Sequence, residues 1–211
     1  MSEAAGNLRR TQEERRAEAE RRLVQAAAEL VGEIGPARVT LANVGERAGY
    51  SRGLATHHFG SKGALMQRLV DAVTLQFREA IFDESQSLSA MDEGVGLVRT
   101  YFQVISNLQP VNRARLVLWA DAVAAGSPDV RPAMIAADRE FREAVSKTLE
   151  RGVVSGEFPD SVDPQGLATV IIAMLRGVAL QSLLDDQVDL EACRTEIERL
   201  LTNRLQKEAV Q

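Results

Sequence analysis

Apolar residues recur at helical spacing along nearly the whole chain. The first stretch with this pattern contains Leu23, Ala26, Ala27, Leu30, Val31 and Ile34. Spacings of three and four place such side chains on one face of an α-helix. Thr11 with Glu14 three residues later can form a capping box at the start of this helix, and Gly35-Pro36 ends it.

Helix start and stop residues divide the rest of the chain in the same way. Thr40 and Ser51 can cap two short helices, 41–48 and 52–58, with Gly49 between them. Ser61 can cap a long helix that reaches about Phe82. The pattern predicts five further helices, at 92–108, 112–125, 132–154, 164–184 and 189–205. Because no segment alternates convincingly as a strand, the predicted fold class is all-α.

Residues 40–59 form the most distinctive segment. A capped helix, a glycine turn and a short second helix with small and polar residues are typical of a helix-turn-helix. We place Ala48 where the two helices cross, because a larger side chain would push them apart. Gly49 can adopt the left-handed backbone of the turn. A unit of this kind binds DNA with its second helix in the major groove.

Several residues of this segment resemble the signature of TetR-family DNA-binding domains. They are Thr40, Ala48-Gly49, Ser51, Gly53, His57-His58-Phe59 and Ser61-Lys62. The close resemblance covers about residues 18–75. The rest is similar in helix number and length, with a fainter similarity to the C-terminal domain of the betaine-pathway regulators. The resemblance implies an N-terminal three-helix helix-turn-helix domain and a larger helical domain that binds a ligand and dimerises.

The resemblance also implies roles for individual residues. Those expected to contact operator DNA are Thr40, Tyr50, Ser51, Arg52, Gly53, Thr56, His57 and Lys62. Thr40 and Lys62 would bind phosphates, and Arg52 is the candidate for reading a guanine through a bidentate contact. Thr56 stands where the family usually has an aromatic residue, which changes the expected operator sequence but not the expectation of DNA binding.

A ligand cavity in the C-terminal half is implied only by the resemblance. Its candidate lining residues are Phe102, Trp119, Phe141, Met174 and Arg176. Aromatic and Met residues at helical spacing are also typical of an ordinary core. Arg176 lies within an apolar helix and needs a partner if it is buried. It could hold an anionic ligand, pair with Asp185 or Asp186 across a dimer interface, or reach solvent.

The helix at 164–184 is apolar around more than half of its circumference. That is wider than one buried face requires, so we predict a homodimer formed through residues 164–205. We expect Ile172→Glu to yield monomers. We divide the chain into a disordered arm of mixed charge (1–17), the helix-turn-helix domain (18–65) and the ligand-binding and dimerisation domain (66–211).

Composition narrows the function classes. The net charge is −5, but residues 1–62 carry ten basic and eight acidic residues, whereas 63–211 carry fifteen and twenty-two. This asymmetry favours approach to DNA through the N-terminal part. Arg9, Arg10, Arg15, Arg16, Arg21 and Arg22 either contact DNA or form a solvated face, since acidic residues alternate with them.

The sequence contains few residues and motifs that are typical of catalysis or metal binding. There is no glycine-rich phosphate loop and no nucleophile elbow, so we expect no enzyme and no cofactor. The only histidines, His57 and His58, are adjacent and point about 100° apart on a helix, so we expect no metal site. The single cysteine, Cys193, lies on an apolar stripe and is predicted to be buried. We find no run that spans a bilayer and no signal peptide, so we expect a cytoplasmic protein.

These observations predict a sequence-specific DNA-binding transcriptional regulator. The leading hypothesis is a repressor that a small-molecule effector releases from its operator. The alternatives are a DNA-binding regulator without a ligand, and an activator. The fourth helix would transmit the signal, because it joins the two domains without a flexible linker.

Overall fold

A computed structural model describes residues 11–81, 89–124 and 126–206, and this part of the chain contains helices but no strand. The all-α prediction is therefore confirmed. The helices are α1 (Gln12–Ile34), α2 (Leu41–Arg47), α3 (Arg52–Phe59), α4 (Lys62–Ile81), α5 (Ala90–Ser106), α6 (Pro110–Val123), α7 (Arg131–Val154), α8 (Pro164–Leu184) and α9 (Leu190–Leu205).

The capping signals at the first helix are confirmed. The Thr11 hydroxyl accepts a hydrogen bond from the Glu14 amide at 3.2 Å, and the Glu14 carboxylate accepts one from the Thr11 amide at 2.7 Å. Gly35 ends the helix with a positive φ of 76°. Residues 12–17, assigned to a disordered arm, are therefore the first turns of α1. The rest of that predicted arm, 1–10, lies outside the described residues.

Two predicted helix starts are wrong by a few residues. α5 begins at Ala90 and not near Asp92, because the Ser89 hydroxyl caps it by accepting from the Asp92 amide at 3.0 Å. α6 begins at Pro110 and not at Asn112. Proline suits the first helical turn, where its missing N–H has no intrahelical partner to lose.

The apolar side chains form two clusters that meet at α6. The first contains buried residues of α1 to α4 and one face of α6, including Val111, Ala114 and Leu118. The second contains the end of α4 and residues of α5, α7, α8 and α9, and it takes Leu116 from the opposite face of α6. α6 is thus part of both cores, and a change in its position affects both.

α8 is long and apolar enough to cross a bilayer by length and composition alone, with a hydropathy of 1.9 over its most apolar window. This corrects the expectation that no run reaches that length. The helix packs against α5, α7 and α9, and its central Arg176 forms an ion pair with α7. We therefore treat α8 as a helix of the domain core with one uncovered side.

Candidate DNA interface and buried cavity

α2 and α3 meet at a glycine that the sequence analysis did not single out. A Cβ atom on Gly45 would lie 2.7 Å from the Ser51 carbonyl oxygen. The Gly45 carbonyl also accepts a hydrogen bond from the Tyr50 amide at 2.9 Å, which closes the turn. Gly49 has the predicted positive φ, 79°. Ala48, predicted at the crossing of the two helices, is buried, and Gly45 adds a close approach to Ser51 that a larger side chain would block.

α3 buries one narrow side and exposes the other. Ala55 is fully buried and Phe59 packs against the first core cluster. The predicted DNA-contacting residues Ser51, Arg52, Gly53, Thr56 and His57 are all exposed. Nothing lies within 4 Å of the position where Gly53 would carry a Cβ, so its backbone is open to a close approach. The sequence-predicted residues thus share one solvent-facing surface.

Three more of the predicted residues border that surface. Thr40 is exposed at the start of α2, where its hydroxyl accepts from the Asn43 amide at 3.2 Å and keeps its own proton to donate. Tyr50 is half-buried, with the Arg22 guanidinium 5.1 Å from the centre of its ring. Lys62 is half-buried and donates a hydrogen bond to the Ala37 carbonyl at 2.8 Å. Its other two ammonium protons remain able to bind a phosphate.

Arg52 is already partnered in the absence of DNA. Its Nε donates to the Glu46 carboxylate on α2, while 77% of its side chain is exposed. Contact with a base therefore requires Arg52 to leave Glu46 or to use its terminal NH2 groups. Because the pair is exposed, its contribution to stability is small, about 0–1 kcal/mol.

Glu20 of α1 contacts both α3 and α4 on the side of α3 that faces away from solvent. It accepts from Arg68 of α4 at 2.5 Å and lies 3.3 Å from the His58 imidazole. The hydrogen bond from Arg68, reinforced by that with His58, lowers the pKa of Glu20 although partial burial opposes the shift. The His58 side chain is only 9% exposed, so it packs between α1 and α3 and does not face the exposed surface of α3. In the part of the chain that is described, no three potential metal ligands cluster.

A cavity of about 40 Å³ lies between α4, α6, α7 and α8. It is lined by Thr74, Phe77, Arg78, Arg115, Trp119, Met134, Ala137, Asp138, Glu140, Phe141 and Arg176. Trp119, Phe141 and Arg176 of the predicted ligand-binding set are brought together here. Phe102 is instead buried in the second core cluster, and Met174 lies in an open groove between α8 and α9, so neither lines this cavity.

The lining of the cavity contains three arginines but only two carboxylates. Arg176 forms an ion pair with Asp138 at 2.6 Å and lies 4.5 Å from the centre of the Trp119 ring. The other oxygen of Asp138 accepts from Arg142 at 2.5 Å. Arg176 thus pairs with α7, whereas the sequence analysis considered Asp185 and Asp186. One carboxylate therefore serves two guanidinium groups.

Arg115 is the functional candidate that the sequence analysis missed. Only 7% of it is exposed, its guanidinium carbon lies 3.5 Å from the centre of the Phe77 ring, and it donates a hydrogen bond to the Tyr101 hydroxyl at 3.5 Å. Burial lowers its pKa. Its position four residues before Trp119 puts both on one face of α6, and this spacing could have identified it.

Comparison with known proteins identifies the family. Residues 23–69 match the model of the bacterial regulatory proteins of the tetR family, and residues 94–206, more than half of the chain, match the C-terminal domain of BetI-type transcriptional repressors. The chain belongs to the TetR family. The second match lies within its BetI-type branch, in agreement with the fainter similarity seen in the sequence. This family consists of transcriptional regulators.

Individual relatives are more distant. The HTH-type transcriptional regulator BetI of Escherichia coli (strain K12 / DH10B) is 28% identical over 106 residues, which are 49% of this chain and 54% of that protein. The chain thus spans about half the length of the curated relatives it matches.

Solved structures share the fold over a longer span. A TetR transcriptional regulator from Chloroflexus aurantiacus is 21% identical, with a TM-score of 0.80 over 90% of this chain and 98% of that one. A regulator from Saccharomonospora viridis, crystallised in complex with choline, is also 21% identical, with a TM-score of 0.77 over 91% and 100%. These similarities confirm the two-part helical architecture.

Proposed function

We propose that this TetR-family member is a cytoplasmic, homodimeric repressor that binds operator DNA and is released by a small molecule. The observation that carries the proposal is the exposed polar surface of α3, held by Gly45 and Glu20 and bordered by Thr40 and Lys62. Its Arg and hydroxyl side chains can contact base edges, and its flanking residues can bind phosphates.

The uncovered side of α8 supports the dimer. Val170 and Leu184 are 51% and 90% exposed, and Ala173 and Gly177 lie between them without a neighbour over them. With Gln181 they form a stripe along one face of the helix, beside the groove that contains Met174 and Cys193. Cys193, predicted to be buried, is only half-buried in a single chain. A second copy of this chain would cover both surfaces.

The route from ligand to DNA runs through two helices. α4 contributes Phe77 and α6 contributes Arg115 and Trp119 to the cavity. α6 also packs against α1, where Arg113 donates a hydrogen bond to the Gly32 carbonyl at 3.0 Å. A ligand that moves α4 and α6 would change the spacing of the two α3 helices, which B-DNA fixes at about 34–36 Å. Coupling of about 1–3 kcal/mol would weaken operator binding about 5- to 150-fold.

Selection of bound sequences from random duplex DNA tests the function. We expect an inverted repeat whose half-sites are centred about one helical turn apart. A preference for a single half-site would contradict the dimeric part of the proposal, and the absence of any sequence preference would contradict operator binding.

The dimer is tested with a charge on the exposed stripe. We expect Val170→Glu to give folded monomers by sedimentation and to weaken operator binding by at least about 100-fold, because the second half-site no longer adds avidity. Ile172, predicted earlier as the position to charge, is only 2% exposed and would disrupt the core instead. Leu75→Glu is the matched control, since Leu75 is 49% exposed on α4. A dimeric Val170→Glu variant would overturn the assignment.

A further inference from the structure

The cavity contains more positive charge than it can neutralise. Arg115 is buried on its wall and the Arg176 side chain is only 11% exposed, and Asp138, whose side chain is 16% exposed, pairs with both Arg176 and Arg142. Glu140 and Arg78 also line the cavity, but both are exposed at its rim. Among the described residues, no carboxylate lies within ion-pair distance of Arg115, and Asp138 acts on its charge only from a longer distance.

Such an arrangement is costly unless a ligand completes it. A guanidinium remains protonated in proteins, and a buried charge without a partner is strongly unfavourable. Within the described ranges, the Nε atoms of both Arg115 and Arg176 are buried without a hydrogen-bond partner. Phe77 offers Arg115 the face of its ring, but an aromatic ring cannot accept the in-plane hydrogen bonds of the guanidinium.

We propose that the effector is an organic monoanion whose carboxylate binds Arg115, with an apolar body that contacts Phe77, Trp119 and Phe141. The inference deepens the proposed function and rests on its ligand site. One unpaired positive charge calls for one negative charge, and a planar carboxylate matches the fork of a guanidinium. The cavity, about 40 Å³, is larger than the roughly 10–15 Å³ that one water needs, so a small anionic group has room.

The same charges disfavour a cationic effector. A quaternary ammonium ion is bound by aromatic faces that are open to it. Here Arg115 occupies the face of Phe77 and Arg176 lies over Trp119. A cation in this cavity would also meet two like charges. The ligand chemistry of this chain therefore differs from that of the structural neighbour crystallised with choline.

Room for the apolar body lies beside the cavity. A second, more open cavity of about 220 Å³ shares Trp119 and Arg176 with the first and is otherwise lined mainly by α8. The stacked Arg176 and Trp119 side chains separate the two spaces. A carboxylate at Arg115 would sit in the inner space, and a shift of this pair would open the outer space to the rest of the molecule.

The test compares ligands that differ only in charge. The probes are hexanoate, hexanamide and hexylammonium, and phenylacetate, phenylacetamide and phenethylammonium. Binding to the full chain is followed by the fluorescence of Trp119, the only tryptophan, and by thermal unfolding. We expect at least one carboxylate to bind about tenfold or more tightly than its amide, as a charged hydrogen bond adds over a neutral one, and its ammonium analogue to bind more weakly still. Equal binding within both sets, no binding by either carboxylate, or a preference for the ammonium ions would overturn the inference.

Variants assign the effect to Arg115. We expect Arg115→Met to abolish the preference for carboxylate and, without ligand, to unfold at a higher temperature than the wild type, because a buried charge without a direct ion-pair partner is gone. Arg113→Met, on the same helix, removes an exposed guanidinium and should keep the preference. If Arg115→Met does not fold, Arg115→Lys replaces it, and loss of the fork should weaken carboxylate binding about tenfold. An unchanged preference in the folded variant would overturn the assignment.

The outcome can be separated from that of the proposed function. A wild type that prefers carboxylates but has no operator would overturn the proposed repressor and leave the ligand chemistry intact. A wild type that binds its operator and is released by the ammonium probes would overturn the ligand chemistry and leave the repressor intact.

Discussion

The N-terminal helices and the C-terminal domain place arginine in opposite environments. Around α3, Arg47, Arg52 and Arg68 lie at the surface, and each pairs with a glutamate of a neighbouring helix. In the cavity, Arg115 and Arg176 are nearly inaccessible, and of the two only Arg176 forms an ion pair among the described residues, with Asp138. The arginines around α3 therefore each have a carboxylate partner, whereas the cavity has too few carboxylates for its arginines.

The difference reflects what each region has to bind. An exposed Arg–Glu pair is held by little energy, so a phosphate or a guanine can replace the glutamate. Intramolecular partners such as Glu46 hold the arginine side chains of this surface in place when no DNA is bound. Solvent cannot supply hydrogen-bond acceptors to a buried guanidinium. A buried guanidinium without a carboxylate partner therefore indicates that a ligand supplies the negative group. The proposed DNA surface and the proposed effector site thus differ in whether their arginines have carboxylate partners, more than in the number of arginines.

The largest effect should come from neutralising Asp138, the carboxylate that lines the cavity and pairs with Arg176. We expect Asp138→Asn to lower the free energy of unfolding by about 3 kcal/mol, because both Arg176 and Arg142 lose their counter-charge. The measurement is urea unfolding at neutral pH. Asp71→Asn, at an exposed α4 carboxylate that accepts from Gln67, should change stability by less than about 0.5 kcal/mol. Equal effects of the two substitutions would contradict the charge deficit.

A smaller effect per site is expected on the DNA surface. Arg52→Ala should weaken operator binding by about 1–3 kcal/mol per half-site and relax the base preference at one position, since a bidentate contact is lost.

Lys62→Ala should weaken binding to all DNA sequences equally and reduce the salt dependence of binding, because a phosphate contact does not depend on base identity. Arg99→Ala removes an exposed arginine that pairs with Glu198 in the C-terminal domain and should leave DNA binding intact. Titrations against operator and scrambled duplexes at several salt concentrations decide between these outcomes.

The sequence predicts the helices and the DNA surface better than the cavity. Caps, proline and glycine act locally, so Thr11, Gly49 and Asp163 mark real helix ends. Long-range pairing is not local. Asp138 meets Arg176 only because α7 packs against α8, and no spacing within either helix reveals this contact.

The same limit applies to Gly45. Nothing in the sequence indicates that this glycine faces Ser51, because the backbone of the following turn decides that contact. Phe102 and Phe141 are equally aromatic and equally periodic. Their different positions, one in the core and one at the cavity, follow from which helices α5 and α7 pack against, and the pattern of apolar residues does not reveal those partners.

The smallest expected effect concerns the exposed pairs behind α3. Glu20→Gln should cost about 0.5–1 kcal/mol at neutral pH, because Arg68 and His58 lose a partially exposed carboxylate. The pKa of Glu20 is lowered from its ordinary value of 4.5, so its contribution is complete above that pH and is lost as the pH falls through the lowered value. The difference in unfolding free energy between wild type and variant should therefore shrink in acid. Glu79→Gln, at an exposed position on α4, should show no such convergence. A gap that stays constant down to the acid transition would mean that Glu20 acts through packing and not through its charge, and that α3 does not depend on its surface ion pairs.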